Sequence, residues 1–170
     1  TLSGLYGIFA DTQTSIRVKS VGVTGASSGI HFTNVDSSTI ENDSVGYCAN
    51  GIYLLVNSDA ATIQNCIASS NTVGISIDST VNSTISGNTA NFNTFYGINL
   101  GMGTSGNVVS GNTANSNLVL GIGLVTNTYT IVSGNTATGN STSGISVVNG
   151  ARNIVHSNKA SLNLGKGIVL

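Results

Sequence analysis

The chain repeats itself. Gly-Ile pairs stand at Gly7-Ile8, Gly29-Ile30, Gly51-Ile52, Gly74-Ile75, Gly97-Ile98, Gly121-Ile122, Gly144-Ile145 and Gly167-Ile168, with spacings of 22, 22, 23, 23, 24, 23 and 23 residues. A period this constant over 170 residues restricts the chain to one small unit stacked on itself, each copy burying its apolar face against its neighbours.

A second apolar column recurs at Ile16, Ile40, Ile63, Ile85, Val109, Val132 and Val155. Five residues after each comes Val21, Val45, Ala68, Ala90, Ala114, Ala137 or Ala160. The Ile of each Gly-Ile pair is followed two residues later by Ala10, Phe32, Leu54, Ile77, Leu100, Leu124, Val147 or Leu170. Residues two apart point to the same side of a strand, so Ile-x-Leu is a short strand with one buried face. Each unit then holds two or three short strands joined by bends rich in Gly, Ser, Asn and Thr. Helical repeats are excluded, because the chain lacks the longer 3.6-residue apolar patterns and the strong helix formers they need. The expected architecture is all-β: a parallel solenoid of about seven coils of 22–24 residues, forming a single domain over residues 1–170 without evident caps. The glycine of each pair is expected at positive φ in a tight bend. The absence of proline agrees with a ladder in which every coil must donate hydrogen bonds.

Asparagine fills two further columns, Asn88, Asn112, Asn135 and Asn158, and Asn71, Asn93, Asn117, Asn140 and Asn163. Amides stacked one coil apart can bond up and down the stack, which makes these columns structural ladders. Ser-Gly-Asn-Thr-Ala at 86–90, 110–114 and 133–137, followed by Asn-x-Asn and Gly-Ile-x-Leu, resembles the right-handed parallel β-helix repeats of NosD-like cell-surface proteins. Their wider superfamily includes pectate lyases, alginate epimerases and phage tailspikes. The resemblance implies a right-handed β-helix, and it implies no particular activity.

Composition removes several functions. Charged residues make up 6% of the chain, the net charge is −1, and no charge at all occurs from Ser79 through Ala151. Nucleic-acid binding needs clustered Lys and Arg, and five scattered ones do not supply it. No stretch approaches the roughly 20 apolar residues of a membrane span. A surface of Ser, Thr and Asn with little Lys suits an extracellular or cell-surface location.

All six acids, Asp11, Asp36, Glu41, Asp43, Asp59 and Asp78, lie in the first four coils. Alignment on the second apolar column places Arg17 under Glu41 and Lys19 under Asp43 as cross-strand ion pairs. Asp36 and Asp59 share a column, where two like charges face water or hold a cation such as Ca²⁺. No other cofactor is expected. A metal held by His31, His156 and Met102 is excluded, since about five coils separate the two histidines, on the order of 24 Å at the β spacing. Cys48 and Cys66 replace asparagine-column residues on adjacent coils, as free buried thiols or as a disulfide.

Phe9, His31 and Tyr53 occupy one outward column, and flat rings suit the C–H face of a sugar. At the ends, Ile8, Phe9, Ile168 and Leu170 sit on strand edges that a second copy could extend. The leading expectation is therefore a non-enzymatic wall, sheath or filament subunit, a homopolymer stacked end to end. The alternative is a carbohydrate-binding or carbohydrate-processing β-helix domain of a larger surface protein, with a cell-surface polysaccharide as partner.

Overall fold

The computed structural model describes residues 5–170, and these form a right-handed parallel β-solenoid without helices. Three sheets run the length of the coils. The long sheet has eight strands, Tyr6–Thr14, Ser28–Asp36, Asn50–Leu55, Val73–Asp78, Tyr96–Leu100, Leu120–Val125, Ser143–Val148 and Ile168–Val169. The second has seven, Arg17–Lys19, Thr39–Glu41, Thr62–Gln64, Thr84–Ser86, Val108–Ser110, Ile131–Ser133 and Ile154–His156. The third has three, Gly22–Thr24, Ser44–Gly46 and Ile67–Ala68, and single bridges through Thr89, Thr113, Thr136 and Lys159 continue it. Every pairing is parallel and joins the same segment of successive coils, so the sequence period becomes a spatial column.

The columns form the core. Ile30, Ile52, Ile75, Ile98, Ile122 and Ile145 stack with Phe32, Leu54, Ile77, Leu100 and Leu124, all without solvent exposure. Ile63, Ile85, Val109 and Val132 close the opposite wall, and Ala68, Ala90, Ala114 and Ala137 fill the narrow corner. At about 25 cal/mol per Å² of apolar surface, stacked Ile and Leu side chains of this size contribute about 1.5–3 kcal/mol each.

The register corrects the alignment of the first coil. Val18, not Ile16, pairs with Ile40, and Val23, not Val21, pairs with Val45. A chain with β-branched residues at both 16 and 18 offers two anchors two residues apart that face the same way, and pairing with the next coil selects one.

The glycines of the Gly-Ile pairs also have a different reason from the one expected. None of them among the described residues lies at positive φ. Close approach is what excludes a side chain: a Cβ at Gly74 would stand 2.6 Å from the Gly97 carbonyl oxygen, 2.7 Å from that of Ala68 and 2.8 Å from the Asn93 amide. The left-handed bends fall elsewhere, largely on Ser, Asn and Thr, with Gly87, Gly111 and Gly134 in one such column.

The asparagine columns are ladders. The Asn88 backbone N–H donates to Asn112 Oδ1 at 2.9 Å, and Asn112 repeats this with Asn135 and Asn135 with Asn158. Each side-chain amide also donates to the anchor carbonyl of the preceding coil, Asn88 to Ile63, Asn112 to Ile85 and Asn135 to Val109, all at 2.9 Å. Corner N–H groups that lack a strand partner, those of Asn88, Asn112 and Asn135 among them, are thereby satisfied inside the protein. A further row, Ser38, Ser83, Asn107 and Asn153, performs the same service for Ile16, Ala61, Ser83 and Thr130.

Candidate functional site

Residues between the buried Ile and Leu of the long sheet point outward. One outward column reads Phe9, His31, Tyr53, Ser76, Asn99, and a parallel one two residues on reads Asp11, Thr33, Leu55, Asp78. The first column gathers the rings expected from the sequence. His31 lies 5.6 Å from Phe9 and 5.1 Å edge-on from Tyr53, centroid to centroid. Tyr6 joins them, 4.7 Å from Phe9 in a stacked pair and 4.8 Å from His31. Strand alternation alone would put residues 6 and 9 on opposite faces, so Tyr6 could not be placed here from spacing. Leu120 leans over Gly123 in the same way two-thirds along the solenoid, with its Cδ1 3.2 Å from where a Cβ at Gly123 would stand.

Polar groups sit at the upper end of this patch. The Asp78 carboxylate lies in a space that only a glycine leaves, since a Cβ at Gly101 would collide with it. Burial raises the Asp78 carboxyl above its ordinary value. The Tyr53 hydroxyl faces that carboxylate, and burial together with the Asp78 charge pushes it up to about 12. His31 is 7% exposed, its Nε2 is 3.1 Å from Thr33 Oγ1, and its buried Nδ1 has no partner. Burial lowers its pKa, so the imidazole is neutral near pH 7. Beyond Tyr53, Ser76 is covered and accepts a 3.2 Å bond from the Asn99 amide.

The remaining predicted residues are used by the scaffold. Asp36 Oδ1 accepts the Asp59 N–H at 2.9 Å, and Asp59 Oδ1 accepts the Val81 N–H at 2.7 Å. The two carboxylates thus serve as ladder rungs, which accounts for like charges in one column. Arg17 and Lys19 both reach Glu41, Arg17 Nε at 2.8 Å and Lys19 Nζ at 3.4 Å, while Gln64 donates to it at 3.0 Å. The expected pairing of Lys19 with Asp43 is therefore replaced, a consequence of the two-residue shift in the first coil. Asp43 is buried and accepts the Val21 N–H at 2.7 Å. Cys48 and Cys66 are free and buried, so the alternative of a disulfide is not realised; their N–H groups donate to Asn71 and Asn88. Burial pushes the Cys66 thiol up to about 11. Of the edge residues, Phe9, Ile168 and Leu170 are exposed, and Ile8 packs partly against the core.

This solenoid of asparagine-laddered coils belongs to the NosD family, described as periplasmic copper-binding protein, which it matches over residues 10–170. By structure it is similar to a periplasmic alginate epimerase, AlgG, with a TM-score of 0.75 and 16% identity, covering 97% of this chain and 47% of that one. It is similar also to the A-module of a mannuronan C-5 epimerase of Azotobacter vinelandii, TM-score 0.77 and 20% identity, covering 98% and 54% of the two chains. A third likeness is to DFA-IIIase of Arthrobacter chlorophenolicus A6 in complex with GF2, TM-score 0.62 and 14% identity, covering 88% and 48%. The chain spans about half the length of these structures. No curated protein matches it by sequence.

The copper of the family description finds no fitting donor set here. No three His, Cys, Asp or Glu side chains converge among the described residues, both thiols are buried in ladder positions, and His31 and His156 lie on different sheets. Among the described residues no helix is long and apolar enough to cross a membrane.

Proposed function

We propose that this chain is a carbohydrate-binding β-helix segment of a larger envelope protein outside the cytoplasm, which lays a glycan along the outer face of the long sheet at coils 1–4. The observation that carries the reading is the contiguous ring patch of Tyr6, Phe9, His31 and Tyr53, ending at the Asp78 carboxylate. The exposed rings of Tyr6 and Phe9, backed by His31 and followed by Tyr53 over three coils, present an apolar surface to pyranose C–H groups, with hydrogen-bonding groups at its rim. Structural neighbours that carry carbohydrate-enzyme names support this use of the fold, and none of them supports a sheath or filament role.

A processing activity on the same face is a second reading, favoured by Tyr53 and Asp78. A half-buried carboxyl with a raised pKa, next to a phenol held protonated, is an arrangement suited to proton transfer. A two-carboxylate glycosidase is not supported: Asp11 and Asp78 are three coils apart, roughly 14 Å at the β spacing, beyond the 5–10 Å such pairs use.

Glycan-array binding tests the main reading. Wild type is expected to retain at least one polysaccharide, and Phe9→Ala, at an exposed position, is expected to lose it with an unchanged circular dichroism spectrum. Equal retention by the variant places binding elsewhere. Conversion of the retained glycan, absent in Asp78→Asn, distinguishes processing from binding.

A further inference from the structure

Resting on that reading, we infer that the glycan on this face is uncharged, a neutral hexose polymer and not a polyuronate. The placement of the five cations carries it. Arg17 and Lys19 stand on the seven-stranded sheet and are both engaged by Glu41. Arg152 lies over the Tyr129 ring, 5.3 Å from its centroid. Lys159 pairs with Thr136 on the third side of the solenoid. Lys166 precedes the last anchor glycine, five coils beyond Tyr53 and on the order of 24 Å away. No Lys or Arg therefore faces the ring patch, whereas two carboxylates, Asp11 and Asp78, border it.

A uronate brings one carboxylate per residue, and a protein that holds it supplies a charge-assisted partner, most often Arg or Lys. Here the incoming charge would be stripped of water against apolar rings and set beside like charges. His31 does not replace the missing cation, because it is buried and neutral. A neutral hexose meets none of these obstacles. The C–H face of one residue packs on Tyr6 and Phe9 with its hydroxyls toward the Asp11 carboxylate, and a residue further along the polymer donates to Asp78. Further along the face the outward positions are Ser76, Asn99, Gly123 and Ser146, none of them charged.

Titration calorimetry at pH 7 with neutral homopolymers (a β-glucan, a mannan, a fructan) and with polymannuronate and polygalacturonate, each with and without calcium, decides it. Wild type is expected to bind a neutral polymer and to ignore the polyuronates. Phe9→Ala is expected to weaken that binding at least tenfold, and Leu162→Ala, exposed on another face, to leave it unchanged. Polyuronate binding that Phe9→Ala abolishes, with or without calcium, overturns the uncharged assignment while leaving the face a glycan site. Binding of no polymer, or binding indifferent to Phe9→Ala, removes the carbohydrate reading and the inference with it.

Discussion

The two halves of the solenoid share one backbone and differ in what they place on it. Toward the C-terminal end the ladders are pure amide: Asn88, Asn112, Asn135 and Asn158 in one corner, and Asn71, Asn93, Asn117, Asn140 and Asn163 in the other. In the first coils the same rungs are Asp43 and Cys66 in one corner and Cys48 in the other, Asp36 and Asp59 form a separate short ladder, and all six acids sit there. What the corner requires is an acceptor for an N–H one coil away, which amide, carboxylate and hydroxyl oxygens all provide. The scaffold thus tolerates titratable groups where asparagine would be the more uniform choice, and the exposed aromatic patch lies in that tolerant half.

The largest effect should come from the shared core, which does not distinguish the halves. Leu100→Asp places an unpaired charge at a position with no solvent exposure, and a loss of about 3–5 kcal/mol is expected. Retention of the wild-type denaturant midpoint would overturn the inward register of the long sheet.

Next comes the amide half. Asn112→Ala removes the acceptor of the Asn88 N–H and the donor to the Ile85 carbonyl, both buried. A cost of about 1–3 kcal/mol is expected. Asn163→Ala, at a partly exposed rung of the last coil, should cost less. Equal midpoints for the two variants would mean that burial does not set the worth of a rung.

Asp43 sharpens the comparison most directly. Its Oδ1 accepts the Val21 N–H as an amide oxygen would, but its buried Oδ2 has no partner. In the rungs above, that place belongs to the donor to the preceding anchor carbonyl: Cys66 Sγ to Ile40, Asn88 to Ile63. The corresponding carbonyl is that of Val18, and an acid oxygen donates to it only when protonated. Burial first, and then the Glu41 charge, raise the Asp43 carboxyl. A raised folded value means that its stabilising contribution is complete below the ordinary 3.8 and is lost as pH rises through the folded value. Glu41 runs the other way: the Arg17 bond and then Gln64 hold it at about 2, so its contribution is lost as pH falls below 4.5 toward that value. Asp43→Asn is therefore expected to raise the melting temperature at pH 7 by a few degrees, with no gain at pH 3. A variant less stable than wild type at pH 7 would refute the rung assignment.

The smallest effect belongs to the surface pair. Arg17→Gln removes a cation 62% exposed at its side chain, and a loss of about 0–1 kcal/mol, shrinking further at high salt, is expected. Glu41 itself is buried, so a larger, salt-insensitive loss would mean that Lys19 and Gln64 do not hold its charge without Arg17.

Much of this molecule was legible in its sequence because parallel in-register stacking turns a sequence period directly into a column in space. Ile40 to Val132, Ile30 to Ile145 and both asparagine ladders need no knowledge beyond a spacing of 22 to 24 residues. The outward stripe of Phe9, His31 and Tyr53 follows from the same arithmetic with strand alternation added. Asp78 beside Tyr53 was within reach as well, since Ser76 shares the Tyr53 column and Asp78 lies two residues on. Tertiary structure decided what the period leaves open. It chose Val18 over Ile16 as the first anchor, and so moved Lys19 from Asp43 to Glu41. It brought Tyr6 round onto Phe9, and it showed that the anchor glycines make room for the neighbouring coil and not for a left-handed bend. The reason is common to all of them: a repeat specifies neighbours along the solenoid axis, whereas neighbours across a corner depend on the path of the backbone, which no single spacing encodes.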